Sequence, residues 1–203
     1  MKVMIGGPTG LLEASVEEGS SADTPFAIVC HPHPLFSGTM DNKVVTTVAR
    51  ALGACGMPTI RFNFRGVGAS AGTYDDGRGE SEDAAAIAAW GATRWPARQL
   101  LIAGFSFGAY VAMCLAQTLA PARLILIAPP VGRFEFTGFS APDCPWLIVQ
   151  GEADDVVDPK AVRTWAEALR PAARLVMLAG VGHFFHGHLV ELRDAIEKEI
   201  RSG

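Results

Sequence analysis

Short apolar runs of strand length, separated by stretches with helical spacing, constrain this chain more than any other feature. Residues 25–30, 100–104, 123–128 and 146–150 are nearly continuous in apolar residues, as in strands covered on both faces. Residues 58–64 and 174–178 carry the same signal in β-branched and apolar residues. Between the runs lie helical patterns. Asp41 is the expected N-cap of a helix bearing Val44, Val45, Val48, Ala49 and Leu52, stopped by Gly53 and Gly56. Ser81 is the expected cap of a second helix, broken at Pro96, and Asp158-Pro159 opens another that reaches Arg170. Leu189, Leu192, Ile196 and Ile200 mark the last. Residues 1–10 read as a loose lead-in, and residues 11–17 as an antiparallel edge strand. This alternation predicts an α/β fold: a mostly parallel central sheet flanked by helices on both faces. Functional groups in such sheets gather at the carboxyl ends of the strands.

At 203 residues and 49% hydrophobic content, the chain can bury one substantial core, so a single domain over 1–203 is expected. Its net charge of −4 is spread without long runs of one sign, which argues against a nucleic-acid partner. No stretch is long and apolar enough to span a bilayer, and the apolar run after Met1 is too short for a signal peptide. A cytoplasmic location is the expectation. Cys30, Cys55, Cys114 and Cys144 lie far apart in apolar surroundings and read as buried small hydrophobes.

One corner carries chemistry. Leu100 to Gly104 drives into Gly104-Phe105-Ser106-Phe107-Gly108, and an Ala-rich helical pattern follows. This strand–turn–helix lifts the Ser106 hydroxyl clear of the sheet edge, and the two glycines let strand and helix cross closely beneath it. A serine hydroxyl needs a base within hydrogen-bond reach, and the base needs a carboxylate to fix its tautomer. Suitable groups follow the next strands. Asp154, Asp155 and Asp158 come after 146–150, and His183 after 174–178. Asp158 is explained as the N-cap before Pro159, which leaves Asp154 with Asp155 as the alternative. His186 and His188 lie at the start of the final helix and read as surface groups. The Phe107 backbone N–H, at the helix start just after the serine, is one expected oxyanion donor. A metal site from the two histidine clusters would lack the His-x-x-x-His helical spacing and leave the serine without a role, so no metal or cofactor is expected.

With these motifs the chain resembles the α/β-hydrolase family over nearly its whole length. The resemblance is strongest to small bacterial hydrolases whose first catalytic loop reads His-Pro-His-Pro and continues as Gly38 to Val45 does here. Arg65-Gly66-Val67-Gly68-Ala69-Ser70, Gly151-x-x-Asp154 and Gly182-His183-Phe184 support it. The resemblance implies an α/β-hydrolase fold, with Ser106, Asp154 and His183 as the triad in that chain order. It favours Asp154 because the acid stands three residues after Gly151, with Val157 three beyond. It also nominates the His33 backbone N–H as the second oxyanion donor, with Leu35 as the alternative because Pro34 has no N–H.

Only residues 129–145 join strands 123–128 and 146–150, too few for a helical cap domain. Leu35, Phe36, Phe105, Phe107, Phe134, Phe136, Phe139, Phe184 and Phe185 cluster at strand exits, and about half are expected in the core. Leu35, Phe36, Phe134 and Phe184 are nominated as an apolar substrate pocket. The expected activity is hydrolysis of short- to medium-chain carboxylic esters or thioesters, small-molecule acyl substrates, through an acyl-enzyme on Ser106. The alternatives are a peptidase or amidase of the same fold, and a non-catalytic binding protein on the same scaffold. The last would have no reason to keep serine, acid and histidine together.

Overall fold

The computed structural model describes residues 1–202. Its strands are β1 (Lys2–Gly7), β2 (Gly10–Glu17), β3 (Phe26–Cys30), β4 (Thr59–Phe62), β5 (Leu100–Phe105), β6 (Arg123–Ile127), β7 (Trp146–Gly151) and β8 (Arg174–Leu178). They form one sheet in the order β1-β2-β4-β3-β5-β6-β7-β8. The pairings from β4 through β8 are parallel, and β1 and β2 are antiparallel. The fold is the expected α/β-hydrolase arrangement.

Alternate strand residues enter two separate cores. Phe26, Ile28, Ile102, Leu124, Leu126, Trp146 and Ile148 pack on one face. That face also takes α2 (Arg78–Arg94), α3 (Phe107–Ala116) and α4 (Pro159–Ala168). Ala27, Val29, Leu101, Ala103, Ile125, Ile127, Leu147 and Val149 face the other way. They meet α1 (Lys43–Ala54) and α5 (Leu189–Ser202). Both sheet faces are therefore covered, which is why the central strands read as unbroken apolar runs.

Several local expectations need correction. Residues 1–10 are not a loose lead-in, because β1 lies there and hairpins onto β2 through Pro8 and Thr9. The edge strand is therefore β1, and β2 lies inside it. The N-cap of α1 is Asn42, whose Oδ1 accepts from the Val44 N–H at 2.8 Å, while the Asp41 carboxylate accepts from Arg61 at 2.9 Å. Helix α2 starts at Arg78, ahead of Ser81. There the buried Glu80 carboxylate collects the Gly77 and Asp75 N–H groups at 2.8 and 3.0 Å, and Gly77, which has no side chain to cap with, stands at the N-cap. Of the cysteines only Cys30 is buried; the other three are half-buried, and all four are free thiols. Asp158 caps α4 as expected, accepting from the Lys160 N–H at 2.9 Å.

The connection between β6 and β7 contains no helix, only a bridge between Val131 and Phe134. Trp165 of α4 pins it, with its ring 4.9 Å from that of Phe136 and its Nε1–H donating to the Phe136 carbonyl at 3.3 Å. The described residues place no cap domain over the sheet edge. Among the described residues, no helix is long and apolar enough to cross a membrane.

Candidate active site

Because β3 to β8 run parallel, their carboxyl ends share one edge, and the predicted groups converge there. Ser106 sits between β5 and α3 at φ 54° and ψ −121°. Its N–H donates to Ile127 across the sheet at 2.8 Å, and its carbonyl accepts from Ala109 at 2.7 Å. The backbone is thus held from both sides in a region L-residues rarely adopt. The glycines of the elbow are sterically required. A Cβ on Gly104 would lie 2.0 Å from the Gly108 carbonyl oxygen, and one on Gly108 would lie 2.3 Å from the Cys30 oxygen.

His183 Nε2 lies 3.0 Å from Ser106 Oγ, and His183 Nδ1 lies 2.8 Å from Asp154 Oδ2. An ionised carboxylate only accepts, so Nδ1 carries the proton and Nε2 is free to accept from the serine. His183 hangs from the loop after β8, three strands from β5, or ~14 Å at ordinary strand spacing. It reaches Ser106 because that loop folds back over β7, where the Ala153 N–H donates to the Val181 carbonyl at 3.0 Å.

Asp154 is buried and accepts four hydrogen bonds. Oδ1 takes the Val156 and Val157 N–H groups at 2.9 and 2.8 Å, and Oδ2 takes His183 and the Gln150 amide, each at 2.8 Å. Burial pushes this carboxyl up, but the hydrogen bonds from His183, Val157 and Gln150 outweigh it and hold Asp154 below the ordinary aspartate value. Asp155 is exposed and does not bond to His183.

The His-Pro-His-Pro loop divides its labour. His31 is buried, with Nδ1–H donating to the Pro32 carbonyl at 2.6 Å and Nε2 accepting from the Phe64 N–H at 3.0 Å. Burial pushes its pKa down to about 4, so the ring is neutral near pH 7. Gripping the Pro32 carbonyl also fixes the next N–H, that of His33, since the two belong to one planar peptide. Among the described residues, neither the His33 nor the Phe107 backbone N–H has a partner in the chain. The Leu35 N–H, in contrast, donates to His33 Nδ1 at 3.2 Å. His33 Nε2–H faces the Tyr74 hydroxyl at 3.1 Å, and its ring packs 5.0 Å from that of Phe107.

The apolar residues sort as about half core, half rim. Phe105, Phe107, Phe136 and Phe185 are buried, and Phe134 and Phe139 are half-buried. Leu35, Phe36 and Phe184 are exposed by 68%, 82% and 47%, three of the seven large apolar side chains exposed among the described residues. Phe184 sets its ring edge-on to His183 at 5.0 Å, and Phe36 packs on His33 at 4.9 Å. Phe134 lies against Phe107 and Tyr110. His186 is exposed, and His188 pairs with Glu191 at 3.1 Å; both precede α5 instead of opening it. Two groups escaped sequence reasoning. Tyr74 lies in a loop with no motif, and Gln150 ends an apolar run whose only signal was a polar residue where an apolar one was due.

Comparison with known proteins agrees with this fold. The alpha/beta hydrolase domain family matches residues 37–193. Protein RP471 of Rickettsia prowazekii is 35% identical over 96% of this chain and 86% of its own length. The crystal structure of XC6422 from Xanthomonas campestris, described as an a/b serine hydrolase without lid, superposes with a TM-score of 0.93 at 44% identity, covering 100% of this chain and 94% of that one. An alpha-beta serine hydrolase homologue from Coxiella burnetii gives 0.94 at 43% identity, covering 98% and 96%.

Proposed function

From the premise that this chain belongs to the alpha/beta hydrolase family, we propose that it is a serine hydrolase of small carboxylic esters and thioesters. The observation that carries the reading is the unbroken relay from Ser106 Oγ through His183 to Asp154, at 3.0 and 2.8 Å, on a serine held at φ 54°. Ser106 Oγ attacks the substrate carbonyl while His183 Nε2 takes its proton. Asp154 stabilises the imidazolium that forms without itself taking the proton. The Phe107 and His33 N–H groups receive the developing oxyanion, a role supported by their lack of other partners; the commitment of Leu35 to His33 Nδ1 argues against it as the donor. The imidazolium then protonates the leaving alcohol or thiol. Water, activated by the same histidine, releases the carboxylic acid and restores Ser106.

Leu35, Phe36, Phe134 and Phe184 present apolar surface to the acyl and alcohol groups, which favours short- to medium-chain substrates. A fluorophosphonate probe with mass analysis tests the reading. It should label Ser106 in the wild type and leave Ser106→Ala unlabelled. On a chromogenic ester, Asp154→Asn should lose about 10⁴-fold in kcat, while Asp155→Asn stays within a few-fold. A folded wild type that is not labelled at Ser106 overturns the assignment.

A further inference from the structure

Gln150 occupies a position the fold would ordinarily give to an apolar side chain. It follows Trp146 and Ile148 on the sheet face covered by α3 and α4, both of them core residues, and it is fully buried. Its amide nitrogen donates to Asp154 Oδ2 at 2.8 Å and to the Gly151 carbonyl at 3.2 Å, while its amide oxygen has no partner. A glutamine kept only for packing would not bury an oxygen unpaired, since that costs stability. Turning the amide over would set its oxygen against Asp154 Oδ2, acceptor to acceptor. The side chain is therefore held in the one orientation that serves the carboxylate.

Resting on the serine hydrolase reading, we infer that Gln150 is a positioning residue of the triad: its amide fixes Asp154 Oδ2 toward His183. A carboxylate offers about four acceptor sites. Here Val156 and Val157 fill those of Oδ1, and His183 and Gln150 those of Oδ2. Without Gln150, the His183 bond alone would hold Oδ2, and the carboxylate could pivot about Oδ1, which Val156 and Val157 hold, and draw Oδ2 off the imidazole. Beyond these four bonds the surroundings of the pair are apolar or exposed. Ser106 faces it from the β5–α3 elbow, and the Phe105 and Phe184 rings lie 5.3 and 5.0 Å from His183. The charged groups Glu152 and Asp155 on the adjacent loop are exposed.

Gln150→Met, which keeps the volume and removes the donor, tests this on the full chain. Removing a donor from the carboxylate raises the proton affinity of the Asp154–His183 pair. The acid limb of kcat/KM on a chromogenic ester should move up by about one pH unit, and kcat should fall about tenfold. The imidazole signals of His183, followed by NMR in the resting protein, should titrate at correspondingly higher pH. Gln150→Leu, which also lacks the donor and keeps the site apolar, should move that titration the same way, which decides the matter if the methionine variant does not fold. An unmoved His183 titration in a folded variant overturns the inference. The NMR reading does not depend on turnover, so a wild type that fluorophosphonate fails to label would sink the hydrolase assignment and leave this test standing.

Discussion

Ser106 stores backbone strain, and two substitutions at that one position measure it. Its φ of 54° and ψ of −121° match the first central position of a type II′ turn, which glycine dominates. A non-glycine residue there costs about 1–3 kcal/mol. Ser106→Ala keeps the Cβ and therefore the strain, and loses the hydroxyl bond to His183. Ser106→Gly loses the same hydroxyl but relieves the strain, against about 0.5–1 kcal/mol of extra chain entropy in the unfolded state. The difference between the two variants isolates strain less glycine entropy, so Ser106→Gly should be the more stable by about 1 kcal/mol, within a span of about 0–2.5. For a chain of 203 residues, each kcal/mol corresponds to about 2–4 °C in Tm. Equilibrium unfolding in urea with a thermal scan reads both, and equal m-values guard against a changed unfolded state. Both variants should be inert to fluorophosphonate. If Ser106→Gly is no more stable than Ser106→Ala at equal m, the strained elbow is refuted.

Two further outcomes follow from contacts already described. Gly104→Ala should lose about 3 kcal/mol or more, because its Cβ would meet the Gly108 oxygen at 2.0 Å; Gly182→Ala, whose Cβ has only the Ala153 oxygen at 3.7 Å, should stay within about 0.5 kcal/mol, both read by urea unfolding. His31, lowered from 6.5 to about 4, binds its proton more readily in the unfolded chain, so its contribution is complete above pH 6.5 and is lost as pH falls toward 4; that loss, about 3 kcal/mol, should be absent from the unfolding-versus-pH curve of His31→Gln, and an unchanged slope would refute the buried neutral ring.

Much of this was legible in the sequence because it is local. Central strands covered on both faces leave unbroken apolar runs, and the residues just beyond them gather at one sheet edge. Ser106 and His183 each needed only a strand and its exit to be found. The misses are non-local. β1 is mostly exposed and holds on through its hairpin with β2, so it carries no burial pattern, though Gly7-Pro8-Thr9-Gly10 is a turn signal. Asp41 has the right chemistry for a cap but pairs with Arg61, 20 residues away, and Asn42 takes the role. The choice between His33 and Leu35 turns on the orientation of one peptide, set by His31, which is itself anchored by Phe64 on the neighbouring strand's exit. No spacing rule encodes that.

Distances at the site are set by glycines more than by the polar residues that use them. Gly104 lets α3 start directly above β5, with its carbonyl partner only 2.0 Å from where a Cβ would be. Gly108 lets the end of β3 press on the first turn of α3, at 2.3 Å by the same measure, which brings the His33 loop beside the Phe107 N–H. Gly151 would place a Cβ 2.2 Å from the Val181 oxygen, so its bareness lets the β8 loop lie across β7 and carry His183 back to Ser106. Each close approach folds one loop over its neighbour, and together they draw groups from β3, β5, β7 and β8 to one point with no lid to press them there. It follows that a polar side chain here can be exchanged without moving backbone, whereas a methyl at any of these three glycines must move it.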